Sequence, residues 1–182
     1  MTPLDQRGTS RRRAVRLGVA GLAGLLVPIG RAAAADARSL SLRSLHTGEF
    51  VRATYWVAGR YVRDGLSEID RLLRDHRSNS VHPIDRRLLD VLSALRDRLE
   101  TREPFEIISG YRSPATNARL VATTSGVAPT SLHVAGMAVD IRVPGRPLAA
   151  LRDAAKALGA GGVGYYPESS FVHVDVGRVR YW

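Results

Sequence analysis

"GGVGYYPESSFVHVDVG", residues 161–177, reads as two short strands joined at "PESS" (Pro167–Ser170). Side chains two apart on a strand point the same way, so Phe171, His173 and Asp175 share one face and Val172, Val174 and Val176 share the other. The valine face suits a core. The opposite face sets an imidazole beside a carboxylate, which a buried strand avoids unless both groups have partners. Working outward, "GMAVDIRV" (136–143) is a further strand, stopped by Pro144-Gly145, with Asp140 between Val139 and Ile141 in a buried-looking run. An ionised aspartate there requires a cation or several hydrogen bonds. Seven residues before Asp140 stands His133, in "SLHVAGMAVD" (131–140).

The rest of the chain mixes helices and strands without strict alternation. Leu40, Leu42 and Leu45 precede the "HTGE" turn and Phe50, Tyr55 and Val57 follow it, which predicts a β-hairpin. "LSEIDRLLRDH" (66–76) spaces Leu66, Ile69, Leu72 and Leu73 for a helix. "HPIDRRLLDVLSALRDRLE" (82–100) predicts a second helix, with Pro83 near its first turn and an apolar stripe from Ile84 to Leu99. "PFEIISG" (104–110) is a short buried strand. Ser113 and Pro114 open a third helix, and "PLAALRDAAKALG" is a fourth, closed by Gly159. The class is α+β, with a small, mostly antiparallel sheet flanked by helices.

Length and composition bound the remaining possibilities. The 182 residues make one ordinary domain the default. The net charge of +10 rests on arginine, since Lys156 is the sole lysine. Residues 1–35 hold six arginines against one acid, Asp5, and so carry half of that net charge. They read as an export signal: basic "SRRRAVRLG", an uncharged apolar run of 13 residues (Leu17–Ile29), then small residues for cleavage after Ala35. The apolar run is shorter than the roughly 20 residues a spanning helix needs, so no permanent membrane span is expected. Arginine pairs before it point to the twin-arginine route and a periplasmic location. Residues 36–182 then form a single domain. The chain has no cysteine, which excludes disulfides and thiolate metal sites. Nucleic acid is not an expected partner, because the remaining charge is scattered and no aromatic–basic motif is present.

His133, Asp140 and His173 make a set of two histidines and one carboxylate, which leaves a fourth zinc position open, as catalytic sites require. Histidine seven residues before aspartate also fits a hydrogen-bonded core histidine. The His-x-Asp pattern on a second strand favours metal.

The pattern S-x-H-x-x-G-x-A-x-D in "SLHVAGMAVD" resembles the signature of the zinc peptidases named for lysostaphin, D-Ala-D-Ala metallopeptidase and sonic hedgehog. Within that superfamily, "LHTGE", "SGYRSPATN" and "GGVGYYPESSFVHVDVGRVRYW" resemble the murein endopeptidase K group of exported peptidoglycan hydrolases. The resemblance implies a hedgehog/D-Ala-D-Ala-peptidase-like fold, one Zn2+ held by His133, Asp140 and His173, and peptidoglycan stem peptides as substrate. It implies cleavage of cross-links of the diaminopimelate–diaminopimelate type. A carboxypeptidase acting on stem-peptide ends and a non-catalytic wall-binding module are the alternatives. Ser131 and the turn would position His133, Gly136 would let the backbone pass close to the metal, and Ala135 and Ala138 would leave room for a substrate peptide. Many relatives carry an acid three residues before the last histidine ligand as general base, and Ser170 stands there in this chain. Asp175 is the replacement candidate, as base or as the group orienting His173, with Glu168 in the adjoining turn a weaker one. Arg112 of "SGYRS" would clamp a substrate carboxylate or stabilise the oxyanion. Of Tyr165 and Tyr166, one would line the cleft and the other join the core, with Tyr165 assigned to substrate. His46, His76 and His82 read as surface or turn residues.

Overall fold

A computed structural model describes residues 36–124 and 128–182. The export segment expected at residues 1–35 lies outside the described residues. The remainder forms an eight-stranded sheet in the order β3-β2-β1-β4-β5-β7-β6-β8. The strands are β1 (Ala37–Ser44), β2 (Phe50–Val57), β3 (Arg60–Tyr61), β4 (Phe105–Ser109), β5 (Ala138–Arg142), β6 (Gly162–Tyr166), β7 (Phe171–Asp175) and β8 (Arg180–Tyr181). Only β1 with β4 and β6 with β8 run parallel; the other neighbours are antiparallel. The expected hairpins at "HTGE" and "PESS" are both present.

Four helices join the sheet: α1 (Arg63–Leu72), α2 (Arg86–Arg98), α3 (Pro114–Thr123) and α4 (Leu148–Leu158). The period-2 pattern of the strands decides what faces the core. Leu40, Leu42, Phe105, Ile107, Val139, Ile141, Val172 and Val174 are buried in one cluster with Ile69 of α1, Leu88, Leu92 and Leu95 of α2 and Leu151 of α4. Each such side chain stabilises by about 1.5–3 kcal/mol when fully buried. On β5 and β7 the alternate residues, Asp140 and His173, therefore emerge on the opposite face.

Two helix boundaries depart from the sequence expectation. Helix α2 begins at Arg86, because Asp85 caps it by accepting a hydrogen bond from the Arg87 N–H at 2.9 Å; Pro83 lies before the helix. Helix α1 starts at Arg63 and ends at Leu72, short of His76. There the Leu73 carbonyl accepts a hydrogen bond from the Tyr111 N–H at 2.7 Å, and the buried Asp75 carboxylate accepts from the N–H and hydroxyl of Ser113. Ser113 in turn caps α3, as expected, with its hydroxyl facing the Thr116 N–H.

Candidate metal centre

His133 sits in a single 3-10 turn, Leu132–Ala135, whose cap is Ser131; the Ser131 hydroxyl accepts from the His133 N–H at 3.3 Å. Gly136 ends the turn in the left-handed region, at φ +66°, where a side chain is strained. A Cβ there would stand 2.5 Å from the Pro83 carbonyl oxygen. The glycine thus permits close passage of the Pro83 segment, not of the metal site as the sequence suggested. Ala135 is exposed, Ala138 is buried opposite Asp175, and neither lines the cleft, so the room expected from these two alanines is not their contribution.

Sheet register brings the other two residues together. Asp140 pairs with His173 across β5 and β7, and with Ser109 across β5 and β4. A β-bulge between Ile107 and Ser109 breaks the register of β4. It turns Ser109 away from the Ile107 face and toward Asp140, a use of bulges common beside functional sites.

The donor atoms of His133, Asp140 and His173 all lie within 4.8 Å of one another, and all three residues are buried. His133 Nε2 is 3.2 Å from His173 Nδ1 and 3.3 Å from Asp140 Oδ1, which is 2.9 Å from His173 Nδ1. The far nitrogen of each ring is committed elsewhere. His133 Nδ1 donates to the Gly110 carbonyl at 2.7 Å, and His173 Nε2 donates to Asp175 Oδ2 at 3.1 Å. In the neutral form of each ring the remaining lone pair then faces Asp140, the tautomer a metal needs.

Charge follows the same geometry. Burial pushes the pKa of His133 down. Burial also disfavours ionised Asp140, but the charge and hydrogen bonds of His133 and His173 hold its carboxyl far below the usual range. Burial lowers His173, yet hydrogen bonds to Asp140 and Asp175 outweigh it and raise its pKa. Arg112, 2.6 Å from Asp140 Oδ2 and bonded through Nε to the Ser109 hydroxyl at 2.9 Å, completes the shell. Its N–H also donates to the His133 carbonyl. The sequence assigned Arg112 to substrate; here the guanidinium is engaged first with the ligand carboxylate.

Asp175 is fully buried and saturated. It accepts from the N–H groups of Gly162 (2.9 Å) and Gly177 (2.8 Å), from His173, and from Arg180 at 2.7 Å. It is not among the residues lining the cleft. Each of its two oxygens therefore already accepts at least two hydrogen bonds. Glu168 is exposed in the β6–β7 turn, also away from the cleft wall, and Ser170 occupies a left-handed turn position at φ +56°.

The centre opens into a cleft of about 450 Å³. A larger hollow, about 830 Å³, lies beside Arg52, Arg96 and Glu103 and contains none of the cluster. Ser131 and Arg112 line the cleft as expected. Tyr165 does not: it packs against the core under the Arg152 guanidinium, 4.6 Å from its ring, and Tyr166 is the cleft tyrosine. Trp182 forms the adjoining wall, donating through its indole N–H to the Tyr166 hydroxyl at 2.7 Å, with its ring 5.4 Å from that of His173. His46 also lines the cleft. Sequence spacing gave no signal for Trp182, Arg180, Ser109 or His46, because all four arrive through sheet register or chain reversal.

An α+β fold that converges two imidazole nitrogens and a carboxylate oxygen at the floor of an open cleft is an arrangement suited to a single-metal hydrolase, and the donor set fits zinc. The family described as peptidoglycan L,D-endopeptidase MepK matches residues 32–182. The peptidoglycan L,D-endopeptidase MepK of Escherichia coli strain K12 is 40% identical over 182 residues, 98% of this chain and 100% of that protein. Its counterpart of the same name in Shigella flexneri matches to the same extent. "Probable peptidoglycan L,D-endopeptidase MepK" of Haemophilus influenzae is 40% identical over 146 residues, 80% of this chain and 78% of that protein. The chain belongs to this family of peptidases and is an enzyme.

Proposed function

We propose that this enzyme is a zinc-dependent murein endopeptidase that hydrolyses peptide cross-links of peptidoglycan, those between two diaminopimelate residues, in the periplasm. The observation that carries the reading is the convergence of His133 Nε2, Asp140 Oδ1 and His173 Nδ1 beside an open cleft, in a chain of this family. These three residues would hold one zinc ion, which supplies Lewis acidity toward the scissile carbonyl.

The chain's own residues do the rest. Gly110 and Asp175 fix the protons of His133 and His173 on the nitrogens that face away from the ion. Arg112 neutralises Asp140 and keeps its carboxylate in one orientation, while its cleft-facing side is available to negative charge developing on the substrate oxygen. Arg77, Arg112 and Arg180 line the cleft against one carboxylate, Asp140. That surplus of guanidinium suits a peptide carrying free carboxylates, as stem peptides do. Tyr166 and Trp182 supply a flat wall for the extended chain.

Residues 1–35 serve as the export segment in this reading, by the twin-arginine route, leaving a domain that starts at Asp36. Among the described residues no helix is long and apolar enough to cross a membrane. Incubating purified sacculi with the zinc-loaded protein tests the proposal: soluble muropeptides should be released. Retention on sacculi without release would instead make the chain a wall-binding module, and release of terminal amino acids alone would make it a carboxypeptidase.

A further inference from the structure

Hydrolysis of an amide must move a proton from the attacking water to the leaving nitrogen. The residues around the centre leave few groups able to do so. Asp140 is bonded to both histidines and Arg112, Asp175 is fully buried behind His173, and Glu168 lies off the cleft. His46 is the one histidine that lines the cleft outside the ligand set.

The turn that follows β1 brings it there. Ser44 of β1 pairs with Ile107 of β4, and the Leu45 N–H still donates to the Ile107 carbonyl. Two residues beyond the end of β1, in the turn before β2, comes His46. His46 lines the same cleft as Ser109, Arg112 and Asp140. A substrate lying in that cleft would meet both the ligand aspartate and this imidazole.

The surroundings hold this imidazole in place and leave its edge open. Its ring stacks on His76 at 3.8 Å between centroids and 13° between planes. Burial first, and then the charge of His46, push His76 down to about 4, so the stacking partner is neutral near pH 7. The turn that carries His46 is pinned by the Thr47 hydroxyl on Glu49 (2.8 Å) and by Arg74 on Glu49 (2.6 Å). Arg77 and Arg112 share the cleft wall with it, and Asp75 is spent on Ser113 and Ser78. Among the described residues neither ring nitrogen of His46 makes a hydrogen bond, so both remain for substrate and water.

Resting on the reading above, we propose that His46 is the proton-transfer residue of this enzyme. The water oxygen bonds to the scissile carbonyl carbon as one of its protons passes to the imidazole. The carbon–nitrogen bond then breaks and the same proton leaves with the amine nitrogen.

The test is steady-state kinetics of zinc-loaded wild type, His46→Ala and His46→Gln on a soluble cross-linked muropeptide dimer, from pH 5 to 9, with zinc content and melting temperature measured in parallel. In both variants kcat should fall by about 10²–10⁴-fold, the usual size of a general acid–base contribution, while KM and bound zinc stay within a few-fold. Any acid-side loss of kcat that wild type shows at constant zinc content should be absent from both variants. A variant with near wild-type kcat, or one in which only KM rises, would overturn the assignment while leaving the endopeptidase intact. An inactive, fully zinc-loaded wild type would overturn both. The glutamine variant keeps the size and polarity of the side chain, so loss of folding in the alanine variant would not decide the matter.

Discussion

Replacing Asp175 by asparagine separates two roles that a strand-end carboxylate beside a histidine can play. The volume is conserved, and the new carbonyl oxygen can still accept from the Gly162 and Gly177 N–H groups at the 2.8–2.9 Å now observed. The amide NH2 must then face the two remaining neighbours, Arg180 at 2.7 Å and His173 Nε2 at 3.1 Å, both of which donate. Arg180 loses its 2.7 Å contact to Oδ2 and keeps only the longer one, 3.2 Å, to the oxygen that remains. His173 regains a hydrogen bond only by accepting at Nε2, which moves its proton to Nδ1, the nitrogen facing Asp140. The lone pair needed for zinc is thereby lost in the favoured tautomer. Zinc affinity should fall by about 10–100-fold, the usual effect of removing such an orienting partner. That range equals about 1.4–2.7 kcal/mol. Loss of a charged hydrogen bond to the half-exposed Arg180 should lower stability by about a further 1–3 kcal/mol. Competition with a chelator of known affinity reads the first quantity and a urea titration the second. Unchanged zinc affinity with turnover reduced 100-fold or more would refute this reasoning and return Asp175 to the role of base.

Three further outcomes follow from the same geometry, and a fourth from the proposed export segment. His133→Ala or Asp140→Ala removes one of three ligands and should abolish both bound zinc and peptidoglycan cleavage; metal analysis showing about one zinc per chain in the double variant would contradict the site. Gly136→Ala forces a Cβ into the left-handed region, at about 1–2 kcal/mol, and against the Pro83 carbonyl; the melting temperature should drop by roughly 2–8 °C, with weaker zinc retention. Burial opposes ionisation of Asp75, but hydrogen bonds from Thr116, Ser113 and Arg77 hold its carboxyl well below the usual range. Its stabilisation is therefore present above the unfolded carboxylate pKa of about 4 and fades as pH falls through the lower folded value; Asp75→Asn should be clearly less stable than wild type at pH 7 and nearly matched at the acid end of the titration. N-terminal sequencing of exported protein should begin near Asp36, and an intact residue 1 would favour an uncleaved tether.

Much of this architecture is legible in local pattern. The alternation in "FVHVDV" separates a valine core face from a polar face, and both are found as read. The hairpins, the Ser113 cap and the Gly159 helix end follow from turn and capping chemistry that acts over a few residues. What escaped the reading depends on long-range register. Ser109 reaches Asp140 through a bulge that no residue in "FEIIS" announces. Tyr165 and Tyr166 are adjacent, so which one faces the cleft depends on the phase of β6 against β7. Gly136 was correctly read as a backbone requirement, but its neighbour, Pro83, lies 53 positions earlier in the chain. The small Arg180 strand, paired with Gly162, decides that Asp175 is saturated, and two residues are too few to show periodicity.

The most direct test is chromatographic analysis of a defined cross-linked muropeptide dimer incubated with the purified protein, before and after its metal is stripped and again after zinc is restored. The account predicts about one zinc per chain, conversion of dimer to monomers, no conversion after stripping, and recovery with zinc. An intact dimer in the presence of the fully zinc-loaded protein, or undiminished cleavage once the metal is gone, would contradict it.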